Sequence, residues 1–239
     1  MEPTILYEDE NVVAINKPAG LVVHSDGKTI EPNLVDWLIS QYPNIKDIGE
    51  PGRNAKGEEV LRSGIVHRLD RDKSGVMLVA KTHEVFENLK SQFQNHEIQK
   101  TYHAFLIGEL KTDNGVIDRP IGRSSRDFRM WSAQRGARGE LREAITEYKV
   151  LNRKDGYTFV EVAPKTGRTH QIRVHFKAIN YPLVGDPLYA STTENNLGFK
   201  RTALHSYQVT FRGLNEETHA VIAPYPEDFS RAVALLQSA

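Results

Sequence analysis

The densest set of side chains able to do chemistry lies in residues 67–75, His67-Arg68-Leu69-Asp70-Arg71-Asp72-Lys73-Ser74-Gly75. Asp70 and Asp72 lie two apart, so an extended segment turns both carboxylates to one side, which is one way to bind a divalent metal. Against that, His67, Arg68, Arg71 and Lys73 surround the pair with positive charge, which competes with a cation and favours an ionised carboxylate paired to arginine. The plainer alternative is Asp70 as an ordinary ion-pair partner in a loop. A second set occupies residues 165–175, Lys165-Thr166-Gly167-Arg168-Thr169-His170-Gln171-Ile172-Arg173-Val174-His175. Gly167 supplies a turn and Thr169 a helix cap, which puts Arg168 just ahead of a helix N-terminus whose free amides favour anions, with Arg173 further along the helix. Phosphate or carboxylate is the expected guest. His170 and His175 are five apart and fall on different helix faces, which favours packing or RNA contact over a shared metal.

The elements that must position these residues can be read from periodicity. Short strands are predicted at Ile5 to Tyr7, Val12 to Ile15 and Leu21 to His24, separated by Glu8-Asp9-Glu10-Asn11 and Lys17-Pro18-Ala19-Gly20. Asn33 can cap a helix that buries Leu34, Trp37, Leu38 and Tyr42 and stops at Pro43. Residues 44–63 have no period of either kind and read as a long mobile loop of the sort that often acts as a lid. The unbroken apolar run Val76-Met77-Leu78-Val79-Ala80 suits a strand buried on both faces, and Thr82 can then cap a helix burying Val85, Phe86, Leu89 and Phe93. Strands follow at Ile98 to Leu110, Phe128 to Ala133, Ala144 to Asn152 and Tyr157 to Ala163, with Gly156 at a hairpin turn. A helix is predicted at Thr169 to Ile179, a last strand pair at Thr202 to Phe211 and Thr218 to Ile222, and a closing helix at Glu227 to Leu236. Consecutive strands with few helices predict an α+β fold around a mixed, largely antiparallel central sheet with flanking helices and loops.

Composition narrows the classes of function. The chain has 239 residues, 39% of them apolar and 26% charged, which suits a globular protein and not a disordered tail. No run approaches the roughly 18 apolar residues of a membrane helix, and the N-terminus does not read as a signal peptide, so a cytoplasmic protein without a membrane partner is expected. The absence of cysteine excludes disulfides, cysteine-based zinc sites, iron–sulfur clusters and thiol nucleophiles. The zero net charge conceals an asymmetry: residues 1–60 carry 5 basic and 11 acidic side chains, residues 61–212 carry 25 and 16, and residues 213–239 carry 1 and 4. A basic middle can hold phosphates while acidic flanks limit nonspecific association.

Residues 67–75 resemble the signature of the RluA-type pseudouridine synthases, in which His-Arg-Leu-Asp precedes a few polar residues and Ser-Gly. Other family-like strings follow the same order: Asn16-Lys17-Pro18-Ala19-Gly20-Leu21-Val22-Val23-His24, Lys100-Thr101-Tyr102, the run from Gly167 to His175, Pro182-Leu183-Val184-Gly185-Asp186-Pro187-Leu188-Tyr189, and Ala203-Leu204-His205. The resemblance spans nearly the whole chain, and several strings in order are far more specific than any one. Lys73 departs from the pattern, standing where threonine is more usual.

The resemblance implies a single pseudouridine synthase catalytic domain over residues 1–239 that isomerises uridine in RNA without cofactor or metal. Asp70 is then the nucleophile, either attacking the anomeric carbon or abstracting a neighbouring ribose proton to give a glycal. Arg168 matches the arginine that pairs with it, Tyr102 the tyrosine that stacks on the flipped uracil, and Leu204 the apolar wall on the other side of the base. Taken alone, a strand tyrosine would read as core packing. Arg68 is the candidate for insertion into the RNA, with His67 beside it and Arg173 on the backbone. Arg119, Arg123, Arg126, Arg129, Arg135, Arg138 and Arg142 form either a basic hairpin over the RNA groove or a solvated strand surface. Many relatives acting on ribosomal RNA carry an N-terminal module of the S4 type. This chain enters the catalytic sheet by Ile5, so substrate choice is expected to rest on the catalytic domain, acting as a monomer without an obligate protein partner on a stem-loop of rRNA or tRNA. Two other readings make different predictions: a catalytically silent RNA-binding or chaperone protein, and a metal-dependent phosphodiesterase using Asp70 and Asp72.

Overall fold

The computed structural model describes residues 2–24, 31–53, 57, 59–60, 62–134, 136–190 and 197–237. In chain order the elements are β1 (Thr4–Glu8), β2 (Val12–Lys17), α1 (Leu34–Gln41), β3 (Gly52–Arg53), β4 (Glu59–Val60), β5 (Ser74–Ala80), α2 (His83–Gln94), β6 (Gln99–Ile107), β7 (Asn114–Asp118), β8 (Ile121–Arg123), β9 (Trp131–Ser132), β10 (Arg138–Arg142), β11 (Ile145–Lys154), β12 (Tyr157–Pro164), α3 (Gln171–Ala178), β13 (Leu204–Arg212), β14 (Thr218–Ile222) and α4 (Glu227–Gln237). Few helices among many strands, paired largely antiparallel, make the α+β architecture that the order of elements predicts. The chain divides into two compact units, residues 1–99 with 206–224, and residues 100–205 with 225–239.

In the first unit the strands run β1-β2-β5-β13, with β14 paired to β13. β2 pairs antiparallel with β5, from Val12 opposite Ala80 to Lys17 opposite Gly75. Every residue of β5 is buried, as its unbroken apolar run requires. Gly75 at its start has φ +115°, and a Cβ there would lie 2.1 Å from the Ser206 carbonyl oxygen, so only glycine permits this approach of β5 to β13. The Asn33 side chain accepts from the Asp36 amide at the start of α1, and the Thr82 side chain accepts from the Val85 amide at the start of α2. These are the two predicted caps.

Two expectations in this unit need correction. Leu21 to His24 is not a strand. Val22 makes a parallel bridge to Asn33, and the carbonyls of Val22 and Val23 accept from the amides of Leu34 and Val35. Those amides open α1 and have no partner within the helix, so the segment serves as an N-terminal cap. Residues 44–63 are also more ordered than a featureless loop. Pro43–Ile45 forms a 3₁₀ turn, Ile45 and Ile48 are buried, and β3 pairs with β4. Elements this short carry no period for sequence to reveal. Residues 54–56, 58 and 61 of that loop lie outside the described set.

In the second unit the order is β6-β12-β11-β7, and all three pairings are antiparallel. Strand alternation sends residues to opposite faces. Ala104, Leu106, Val160 and Val162 pack with Ile172 and Phe176 of α3 on one face, whereas Phe105 and Phe159 pack with Phe229, Ala232 and Leu236 of α4 on the other. A small sheet, β10-β8-β9, completes the unit. Sequence periodicity missed β7, β8 and β10, of which β10 is exposed along its whole length and so shows no alternation. The strand expected over Phe128 to Ala133 shrinks to Trp131–Ser132, because Asp127 accepts from the Arg129 amide and closes a turn.

Candidate active site

The first unit presents the 67–75 loop at the edge of β5. His67 Nε2 accepts from the Leu78 amide at 2.9 Å, and its ring stacks on Phe93 with centroids 4.5 Å apart. The imidazole therefore braces the loop against β5 and α2. Arg68 is exposed, Leu69 is buried, and Asp70 follows with its side chain 28% exposed. A buried leucine between two outward-facing polar residues fixes how the loop is displayed.

Lys73 reaches back across the turn. Its Nζ lies 2.9 Å from Asp70 Oδ2, and its backbone N–H donates to the Asp70 carbonyl at 3.1 Å. Arg71 points away, with Nη1 and Nη2 donating to Glu31 and Nε to the Gly20 carbonyl. Lys17 is fully buried, and its ammonium donates to the carbonyls of Pro18, Leu21 and Arg71. A buried ammonium needs such partners, and these carbonyls join the 16–24 segment to the Asp70 loop. Burial, aided by the positive charges of Arg62 and Arg68, pushes the His24 pKa down to about 4, so its ring is neutral at neutral pH.

In the second unit Tyr102 lies on β6 opposite Val162 and packs against the cluster that holds Ile172 and the fully buried Leu204. These two expected pocket residues are thus brought together. Lys100 projects to the same strand face, and burial lowers its pKa from the usual lysine range. Arg168 sits in the turn before α3. Its backbone N–H donates to Gln171 Oε1 at 2.9 Å and its Nε donates to the Glu143 carbonyl at 2.9 Å. The Gln171 amide in turn donates to Ile145 O and Thr146 Oγ1 on β11, which locks the turn. Thr169 is not the cap: α3 starts at Gln171, and His170 takes the cap position in the left-handed conformation with φ 56° and no capping side-chain bond.

Arg173 departs from the expectation of a backbone-binding arginine. It is buried, donating Nε to Asp186 Oδ2 at 2.6 Å and Nη2 to Asp186 Oδ1 at 2.7 Å, with its guanidinium 4.9 Å from the Tyr189 ring centroid. Asp186 also accepts from the Leu188 and Tyr189 amides. Sequence placed Arg173 on the basic face of a helix, but the topology turns that position inward, where a planar fork can satisfy a buried carboxylate. His175 is buried too. Its Nε2 faces the Arg119 carbonyl at 3.0 Å, which only accepts, so Nε2 carries the proton and Nδ1 accepts from Thr146. That is a packing role.

In the arginine-rich segment several guanidiniums have local partners. Arg129 holds Asp127, pushing its pKa down to about 2; Arg142 holds Glu140, and Arg123 lies 4.2 Å from the Trp131 ring centroid. Arg126 and Arg138 are exposed, and Phe128 between them in sequence is 85% exposed. Arg135 lies outside the described residues. Sequence reasoning named Lys73 only as one of four cations around the aspartates, and gave Lys17 and Asp186 no role of their own. The spacing of three between Asp70 and Lys73 within one turn was the available signal for their pairing.

The profile of the family described as RNA pseudouridylate synthase matches residues 11–178. An uncharacterized RNA pseudouridine synthase of Synechocystis sp. is 37% identical over 234 residues, covering 98% of this chain and 68% of the relative. Ribosomal large subunit pseudouridine synthase D of Pseudomonas aeruginosa is 38% identical over 252 residues, covering 99% of this chain and 72% of the relative. Among solved structures, human RNA pseudouridylate synthase domain containing 4 aligns with a TM-score of 0.75 at 24% identity, covering 98% of this chain and 92% of the other, which bears on the fold alone. On the motifs, the profile and relatives at this identity over nearly its full length, the chain belongs to the RNA pseudouridylate synthase family, with the RluA-type enzymes.

Proposed function

We propose that this RNA pseudouridine synthase uses Asp70 as its nucleophile on a uridine flipped out of a structured stem-loop of ribosomal or transfer RNA. The observation that supports this reading most directly is the display of Asp70, a part-exposed carboxylate on a turn anchored by buried Leu69 and by the wholly buried β5. Isomerisation needs the bond from ribose C1′ to uracil N1 to break and a bond from C1′ to C5 to form. The C5 proton is lost and N1 regains one, so atoms and electrons balance without a redox partner. A carboxylate serves either by bonding to C1′ or by taking the C2′ proton, and the departing uracil anion is stabilised by its own carbonyls.

The remaining roles follow the family pattern residue by residue. Arg168 supplies the guanidinium that orients the nucleophile, and Tyr102 stacks on the base, its hydroxyl assisting loss of the C5 proton. Leu204 forms the apolar wall through the cluster it shares with Tyr102. Exposed Arg68 enters the vacated stack, with His67 bracing its loop, and the exposed arginines of the 119–142 segment meet phosphates. Of the two RNA classes, the relatives' names favour ribosomal RNA. A monomer acting in the cytoplasm completes the proposal; among the described residues no helix is long and apolar enough to cross a membrane.

Mapping pseudouridines in ribosomal and transfer RNA from cells with and without this protein tests the assignment. At least one site is expected to disappear and to return with the wild-type gene. Identical maps would overturn the choice of RNA. Arg168→Lys is expected to lose about tenfold or more in turnover with unchanged folding, because a lysine offers one compact charge and not a fork. A rate within twofold of wild type would remove Arg168 from the mechanism.

A further inference from the structure

We propose that Lys73 is a positioning residue for the reaction, its ammonium fixing the orientation of the Asp70 carboxylate through Oδ2. This rests on Asp70 as nucleophile and extends it to a residue of the same turn.

Three observations within one unit carry it. The ammonium lies 2.9 Å from Asp70 Oδ2, and the Lys73 side chain is only 14% exposed, so solvent screens the pair weakly. The geometry is enforced by backbone, since the Lys73 N–H donates to the Asp70 carbonyl and Ser74, the next residue, is already buried in β5. A lysine held at both its main chain and its head group gives the carboxylate little freedom, and a nucleophile already in its reactive rotamer avoids an orientation cost at the moment of attack. The neighbouring cations have contacts elsewhere: Arg71 with Glu31 and Gly20, Lys17 with three carbonyls. A phosphate-binding role fits Lys73 less well, because its ammonium already has a carboxylate partner and little surface.

The experiment compares Lys73→Met, Lys73→Arg and Asp70→Asn with wild type. The substrate is total RNA from a strain lacking the protein, labelled with C5-tritiated uridine, and tritium release is followed under single-turnover conditions alongside RNA affinity and melting temperature. Lys73→Met is expected to lose about tenfold or more in maximal rate, with affinity within about twofold and an unchanged melting temperature, while Lys73→Arg recovers most of the rate. If Lys73→Met does not fold, the comparison falls to Lys73→Gln, with the same expectation. A near-wild-type rate in Lys73→Met beside an inactive Asp70→Asn overturns the role of Lys73 alone, as does a loss confined to affinity. An active Asp70→Asn overturns the nucleophile assignment and this inference with it.

Discussion

Asp70→Asn is expected to abolish pseudouridine formation, lowering turnover by at least about a thousandfold, while the protein folds and binds RNA as before. Asparagine keeps the size and shape of the side chain but neither bonds covalently to the anomeric carbon nor accepts the ribose proton at neutral pH. Folding is spared because Asp70 lies in a loop outside the hydrophobic core with its side chain 28% exposed, and an asparagine oxygen can still accept a hydrogen bond from the Lys73 ammonium. Tritium release at C5, measured with binding of the same RNA, separates the two effects. Residual turnover within tenfold of wild type would eliminate Asp70 as nucleophile, whereas joint loss of binding and rate would mean that the residue shapes the RNA site instead.

Asp186→Asn is expected to cost about 3–5 kcal/mol of stability, because it removes the buried carboxylate charge that the Arg173 guanidinium holds through two hydrogen bonds. The asparagine oxygen can still accept from the Leu188 and Tyr189 amides, so the loss isolates the ionic partner from the turn geometry. Denaturant midpoints of Asp186→Asn, Arg173→Met and the double variant form the cycle that checks it. The double variant should be more stable than the sum of the single losses predicts, since removing both charges leaves neither uncompensated. Additive losses, or a single loss under about 1 kcal/mol, would show that the pair is not a coupled buried ion pair.

Local signals were reliable wherever one residue's chemistry decides the outcome. Asn33 and Thr82 cap α1 and α2 because each side chain reaches the amide three residues on, an arrangement that depends on nothing distant. The buried run of β5 and the hairpin at Gly156 were legible for the same reason. The 44–63 segment was not, since its order comes from two buried isoleucines and a two-residue strand pair.

The sequence by itself determined the reaction class: Asp70 inside a basic, glycine-closed string, with the other strings of the family in order along the chain. Only the tertiary structure decided which of the neighbouring cations are structural. Arg173 turns inward to Asp186, thirteen residues away, and His67 braces the Leu78 amide, eleven away. Lys17 meets the Arg71 carbonyl across 54 residues, while Lys73 meets Asp70 within one turn. A cation's type and spacing state what it can bind. Which carboxylate or carbonyl reaches it first depends on strand order and burial, since the gain from pairing grows as solvent is excluded.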